Sequence, residues 1–310
     1  ICQANIENPN GKCSQKEFFS DKTSCVDKGI IFTNNMSEYQ MQYNTDLNIV
    51  GRYQNINMGG AVCSLANSVH VYGDTGYTKL YIESGTIIRN ASSTKRHRLF
   101  TVFDGGRLDL VDMVLAQGLL TGQDTPYEGF TAEDELKYCG GLTPSNKCYG
   151  GLILIITKGN LFASSTHFVG GSAWSGGAIY AGDGVHIVLG PHPVTFKGNR
   201  AVSDFLLAQS NGGGIYAMNW NDLIWLGGPD FISSMALWHT FRFNNKPSMH
   251  TFQNNSATIS GGGLYVSSSS KHSESDWVED YIGNVVFERN RAGWSGELDV
   301  LFFPSTTRIQ

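Results

Sequence analysis

Three aspartates, Asp104, Asp109 and Asp112, fall within one short stretch and are the residues best placed for general acid–base chemistry. Cleaving a glycosidic bond needs two carboxyl groups across one cleft, one to protonate the leaving oxygen and one to attack or to activate water. At outward strand positions or turn caps the same residues are simply structural. The other acidic runs, Glu133-Asp-Glu135 and Glu274 to Asp280, read as loops. A polysaccharide-cleaving site on the three aspartates is therefore the second reading of the chain. The first is that it has no catalytic residues.

Other reactive groups point to an oxidising compartment and not to a cofactor. Of the six cysteines, Cys2, Cys13, Cys25 and Cys63 crowd the N-terminal region, where three pairings are open, while Cys139 and Cys148 flank a Gly-Gly-Leu-Thr-Pro-Ser-Asn-Lys loop. An even number clustered in this way reads as disulfides, and Cys139–Cys148 would pin the base of a projecting loop. No Cys-x-x-Cys or histidine pair has zinc-site spacing, and the eight histidines are scattered, so neither metal nor cofactor is expected. No nucleophile elbow, phosphate loop or dinucleotide fingerprint occurs. Sequons at Asn35, Asn90 and Asn254 are candidate glycosylation sites. Trp174, Trp220, Trp225, Trp238, Trp277 and Trp294 could stack on sugars, although aromatics covering a corner are the plainer explanation.

The elements that position these groups are repeats. Phe196-Lys-Gly-Asn199-Arg-Ala201, Phe252-Gln-Asn-Asn255-Ser-Ala257 and Phe287-Glu-Arg-Asn290-Arg-Ala292 are copies of one phrase. Gly176-Gly-Ala-Ile-Tyr180, Gly212-Gly-Gly-Ile-Tyr216 and Gly261-Gly-Gly-Leu-Tyr265 are copies of a second, and a degenerate Phe copy runs from Phe168, with Gly171 where the others carry Asn. Repetition of this kind marks a solenoid. Neighbours in a strand face opposite sides, so Ile179, Ile215 and Leu264 should form one inward column and the tyrosines an outward row. The glycine doublet suits a corner by accepting positive φ. Asn199, Asn255 and Asn290 suit a second corner and could bond as an amide ladder. Upstream, Leu108 and Leu110 change phase to Met113 and Leu115, as a strand, a corner and a second strand would require. Gly150-Gly-Leu-Ile-Leu-Ile-Ile156 reads as a strand buried on both faces. No stretch keeps a helical period over three turns.

The two phrases resemble the repeats of chlamydial polymorphic outer-membrane proteins and of secreted right-handed parallel β-helix proteins of bacteria and unicellular eukaryotes. The resemblance spans roughly residues 100 to 303 and is clearest over 165 to 297. It implies a single-stranded right-handed parallel β-helix and a cell-surface or secreted shaft, often adhesive. One departure is spacing: the doublets at Gly176, Gly212 and Gly261 stand 36 and 49 residues apart, whereas one coil needs roughly 20 to 25. Loops must project between repeats, or two coils must separate them. Pectin hydrolases of the same fold carry Asn-Thr-Asp, Asp-Asp, Gly-His-Gly and Arg-Ile-Lys in order. Here Asn44-Thr-Asp46 lies far N-terminal, the middle two motifs do not occur, and Arg308-Ile-Gln310 lacks the lysine.

Composition suits an extracellular β body. Only 16% of the 310 residues are charged and glycine numbers 37, the profile of a turn-rich chain. A net charge of −5 gives no electrostatic case for nucleic acid or an anionic membrane, and no apolar run is long enough to span a bilayer. The basic run Lys95-Arg-His-Arg98 reads as a solvated loop. The start at Ile1 suggests a processed form, residues 1–60 a Cys-rich cap, and residues 61–310 an all-β solenoid with loop insertions near 119–149 and 219–250. Strand-like Glu297 to Phe303, with no polar cap behind it, suggests that the chain continues or that another subunit docks there. The expected role is a non-catalytic surface protein of a coat, filament or appendage, self-assembling or adhesive towards glycans.

Overall fold

The computed structural model describes residues 47–50, 53–65, 68–73, 78–90, 96–120, 148–182, 184–202, 210–218, 223–225, 249–266 and 285–293. Cys2, Cys13, Cys25, Cys139, Asn35 and most of the two expected loop insertions lie outside these residues. Among the described residues there is no α-helix. The strands form three sheets of seven, eleven and four strands, paired in parallel throughout.

The chain follows one path repeatedly, each coil stacking on the last. The first coil holds β1 (Leu47–Val50), β2 (Tyr53–Asn57) and β3 (Val62–Leu65). The second holds β4 (Val69–Tyr72) and β5 (Lys79–Arg89), the third β6 (Phe100–Phe103) and β7 (Arg107–Ala116). The fourth runs β8 (Ile153–Ile155), β9 (Asn160–Ser164), β10 (His167–Val169) and β11 (Ser172–Ala173). The fifth runs β12 (Ile179–Ala181), β13 (His186–Leu189), β14 (Thr195–Lys197) and β15 (Arg200–Ala201). The sixth runs β16 (Ile215–Ala217), β17 (Leu223–Trp225), β18 (His250–Gln253) and β19 (Ser256–Ala257). The seventh holds β20 (Leu264–Val266), β21 (Val285–Glu288) and β22 (Arg291–Ala292). Because β1 and β2 pair with β4 and β5, the coil path already includes Leu47–Asn57, inside the stretch the sequence sets aside as a cap.

Side-chain alternation fills the interior with columns. Val69, Phe100, Ile153, Ile179, Ile215 and Leu264 lie over one another in the first sheet and are buried, so the expected inward column extends well beyond its three repeat copies. In the second sheet Leu115 precedes Phe168, Phe196, Phe252 and Phe287. These rings stack with centroids 4.8, 4.5 and 5.0 Å apart. Each such pair adds about 0.5–1.5 kcal/mol beyond burial of its area. The phase change in β7 occurs as its spacing requires. Asp112 takes φ 54°, turning the strand between inward Leu110 and inward Met113 without breaking its pairing with β5, where Ser84 turns at φ 57°.

Successive copies are neighbours in the stack. Gly171, Asn199, Asn255 and Asn290 lie one coil apart although they are 28, 56 and 35 residues apart in the chain. No extra coil separates the copies. Leu223–Trp225, inside the insertion expected near 219–250, is instead a strand of the sixth coil, paired with β13 as β13 pairs with β9.

Two corners hold the register. At the first, the Nδ2 of Asn199 donates to the Oδ1 of Asn255 (2.9 Å) and to the Phe168 carbonyl (3.0 Å), while the Asn199 amide N–H donates to the same Oδ1 (3.0 Å). Asn255 repeats this towards Asn290 and Phe196, all at 2.9 Å. The amides are fully buried, and their backbone partners fix which end is oxygen. At the second corner only the first glycine of each doublet has positive φ: Gly176 63°, Gly212 68° and Gly261 64°. The second is required for a different reason. A Cβ on Gly177 would lie 2.2 Å from the Gly213 carbonyl oxygen, and one on Gly213 2.2 Å from that of Gly262. Adjacent coils touch there backbone to backbone.

Asn255→Ala orphans the Asn199 main-chain N–H and takes one partner each from the Asn199 carboxamide, the Asn290 carboxamide and the Phe196 carbonyl. With about 1–3 kcal/mol for the buried unsatisfied N–H and about 0.5–1.5 kcal/mol for each bond lost, chemical denaturation should show a loss of about 2–5 kcal/mol. Gly213→Ala should destabilise by about 1–3 kcal/mol or more through overpacking. Gly198→Asn, at φ 65° with nothing near its Cβ position, should be near neutral in the same measurement.

Candidate functional site

Asp104, Asp109 and Asp112 occupy a turn, a strand and a corner. Asp109 is 2% exposed, between inward Leu108 and Leu110 on β7. Its Oδ2 lies 2.6 Å from Lys79 Nζ, and its Oδ1 accepts from Arg107 Nε at 2.7 Å. Arg107 Nη2 also donates to Oδ2 at 3.2 Å. Both oxygens are thus held by cations, which makes Asp109 a clamp between neighbouring coils. Asp104 and Asp112 are exposed, at φ 52° and 54°, where Asp is among the few side chains tolerated.

The remaining sequence candidates separate into walls and surface. Cys63 and Cys148 are both buried and disulfide-bonded, with partners outside the described residues. Asn254 is exposed while Asn255 is buried, as alternation at that corner requires; Asn90 is half-buried. Trp174 packs on Leu120, Cys148 and Ala173, covering a corner. The second half of the basic run is not solvated: His97 and Arg98 are buried, with His97 Nε2 3.0 Å from the Leu65 carbonyl and Arg98 Nη1 donating to Thr101 Oγ1 at 3.5 Å. Among the described residues no group of His, Cys, Asp or Glu could hold a metal ion.

The tyrosine row does face away from the isoleucine column, but it is not a wet surface. Tyr149, Tyr180, Tyr216 and Tyr265 stack at 4.5, 4.8 and 5.1 Å, and Tyr180 and Tyr216 are buried with Leu154 in a second apolar cluster. Burial raises the pKa of Tyr149 and Tyr180, and the Tyr216 and Tyr149 phenols push Tyr180 further. Tyr149, which leads the row, precedes a glycine doublet and not a strand, so the repeat phrase does not reveal it.

Sequence spacing also misses His250. It is fully buried in the column of Thr166, Val194 and Val285. Its Nδ1 faces the Val194 amide N–H at 3.2 Å, which places the ring proton on Nε2. Desolvation lowers its pKa to about 4.

The outer face of the third sheet carries an open groove of about 830 Å³, lined by Arg200, Val202, Asn254, Ser256, Arg289 and Arg291 above the Asn255–Asn290 ladder. Arg200, Ser256 and Arg291 occupy the same register position in successive coils.

The buried imidazole sets a pH dependence. A folded pKa below the unfolded value of about 6.5 means that stability is complete above pH 6.5 and is lost as pH falls towards 4, by up to about 3 kcal/mol. His250→Val, matching the valines in adjacent coils, should flatten denaturation midpoints across that window relative to the parent chain.

Relationships to known proteins follow the same coils. The family model described as the Chlamydia polymorphic membrane protein repeat matches residues 193–218 and 251–267, which run from β14 to β16 and through β18 to β20. No curated protein and no solved structure matches the chain. The chain carries repeats of the Chlamydia polymorphic membrane protein type, stacked coil on coil as a parallel β-helix.

Proposed function

We propose that this chain is a non-catalytic, surface-exposed passenger, a rigid right-handed β-helix that acts structurally or adhesively outside the cell. The observation that supports this reading is the stack of parallel coils, two of which match the membrane-protein repeat, whose corner asparagines bond directly although up to 56 residues separate them. A shaft of this kind holds its insertions at fixed heights, and segments projecting from a rigid scaffold are the usual carriers of recognition. A disulfide-rich N-terminal region, including Cys63, would close the first coil, and a Cys139–Cys148 bond would pin one projecting segment.

Two features favour a passive role over polysaccharide cleavage. Asp109 is engaged through both oxygens by Lys79 and Arg107, and the other two carboxylates stand at corners. No helix among the described residues is long and apolar enough to cross a membrane. Self-association through neighbouring copies, as in a coat or filament, belongs to the same reading.

The test has two parts. Antibody labelling of intact producing cells should equal labelling of permeabilised cells, and the purified chain should leave a panel of acidic polysaccharides uncut with or without calcium. Labelling only after permeabilisation would overturn the surface placement. Release of oligosaccharides, abolished by Asp109→Asn, would replace the passive reading with an enzymatic one.

A further inference from the structure

We propose that the groove on the third sheet binds a linear anionic polysaccharide, sulfated or carboxylated, across Arg200, Ser256 and Arg291. The inference deepens the adhesive reading above and rests on it for its biological setting, although the binding itself can be measured independently.

The first argument is the register. The position that follows the corner Asn, or its Gly171 counterpart, reads Ser172, Arg200, Ser256 and Arg291 in successive coils. With parallel strands about 4.8 Å apart, the two arginines stand roughly 10 Å apart along the axis. The small Ser256 between them leaves a slot where a third long side chain would close it. That separation is on the scale of a repeating disaccharide, so one chain laid along the axis meets a guanidinium at each end of the repeat. Guanidinium forks match sulfate and carboxylate in bidentate fashion.

The second argument is backbone conformation. The residue before the corner Asn, or before Gly171, is left-handed in every coil that has it: Gly170 at 63°, Gly198 at 65°, Asn254 at 54° and Arg289 at 52°. Glycine and asparagine take this conformation readily. For arginine it costs about 1–2 kcal/mol, and strain of this kind clusters at binding sites. Here it brings a third cation to the groove.

The third argument is composition. The described lining residues include no acid, in a chain whose net charge is −5. The nearby Glu288 accepts from Gln253 Nε2 at 3.1 Å. Asn254 and Ser256 supply amide and hydroxyl groups suited to sugar hydroxyls, and the buried asparagine ladder beneath keeps the floor rigid. No aromatic ring is among the described lining residues, which disfavours single-stranded nucleic acid, whose bases need a stacking platform. A glycan attached at Asn254 would fill the same space, so the groove and that sequon exclude each other.

The experiment uses the full chain and heparin oligosaccharides, with polygalacturonate as the carboxylate-only probe and single-stranded DNA as a polyanion control, at low and physiological salt. The expected result is heparin or polygalacturonate binding that weakens with salt and exceeds DNA binding. It should fall about tenfold or more in the double variant Arg200→Ser/Arg291→Ser, and remain unchanged in Lys158→Ser, whose side chain is exposed elsewhere. Serine already occupies that position in two coils, so the double variant should keep the parent's denaturation midpoint. Binding by the double variant equal to the parent, no binding to either polysaccharide, DNA binding as tight as heparin binding, or a glycan on Asn254 in the intact mass of the native protein would each overturn the proposal. Loss of binding specificity with intact surface labelling would fail this inference alone. Arginine-dependent binding accompanied by polysaccharide cleavage would fail the passive reading and leave the groove standing.

Discussion

Register between successive coils is the constraint on which everything else in this molecule depends. A slip of one residue would turn every inward side chain outward, and here that would put Thr195 and Lys197 where Val194 and Phe196 now pack. Apolar columns alone exclude a slip of one residue but specify weakly against a slip of two, which keeps the same face inward. The asparagine corner supplies what they lack. Each carboxamide of Asn199 and Asn255 bonds the next carboxamide and two backbone groups of the preceding coil at once, and a shifted coil would orphan these groups in a dry interior. The second glycine of each doublet adds a steric version of the same rule, since only a residue without Cβ fits under the carbonyl of the following coil.

What was legible in the sequence is what repeats. The columns at Ile179, Ile215 and Leu264, the corner asparagines, and the phase change from Leu110 to Met113 were readable because identical environments select similar residues. What was not legible depends on knowing which copies are neighbours. The strand Leu223–Trp225 carries no repeat phrase, although it follows β16 at nearly the spacing with which β13 follows β12. The first coil hides in a polar, cysteine-rich stretch, because β1 and β2 carry asparagines at several of their positions. His97 and Arg98 look like solvent-exposed charge until Leu65 and Thr101 are brought beside them. The alternation of Ser172, Arg200, Ser256 and Arg291 was in plain view, yet it acquires meaning only once adjacent copies are known to be adjacent coils.

The same division separates shaft from surface chemistry. Inward positions are mostly apolar in every coil because each must pack on the coil above and below. Outward positions are free to differ, and they do: a tyrosine row on one sheet, an ionic clamp around Asp109 on another, a basic groove on the third. Long insertions are tolerated for a related reason. Closing a loop of twice the length costs only about 0.6 kcal/mol more, which is small beside a buried phenylalanine or a satisfied amide.

The carboxamides of Asn199, Asn255 and Asn290 all point the same way, each oxygen turned towards the preceding coil. Their dipoles therefore add along the axis and give the body a polarity, with distinct acceptor-facing and donor-facing ends. Two such bodies could prolong this column only nose to tail, since back-to-back contact would set like ends against each other. Heterologous contacts of that sort do not close into a symmetric pair unless they bend into a ring. Any axial stacking built on this column is accordingly unidirectional and, if straight, without a natural stopping point.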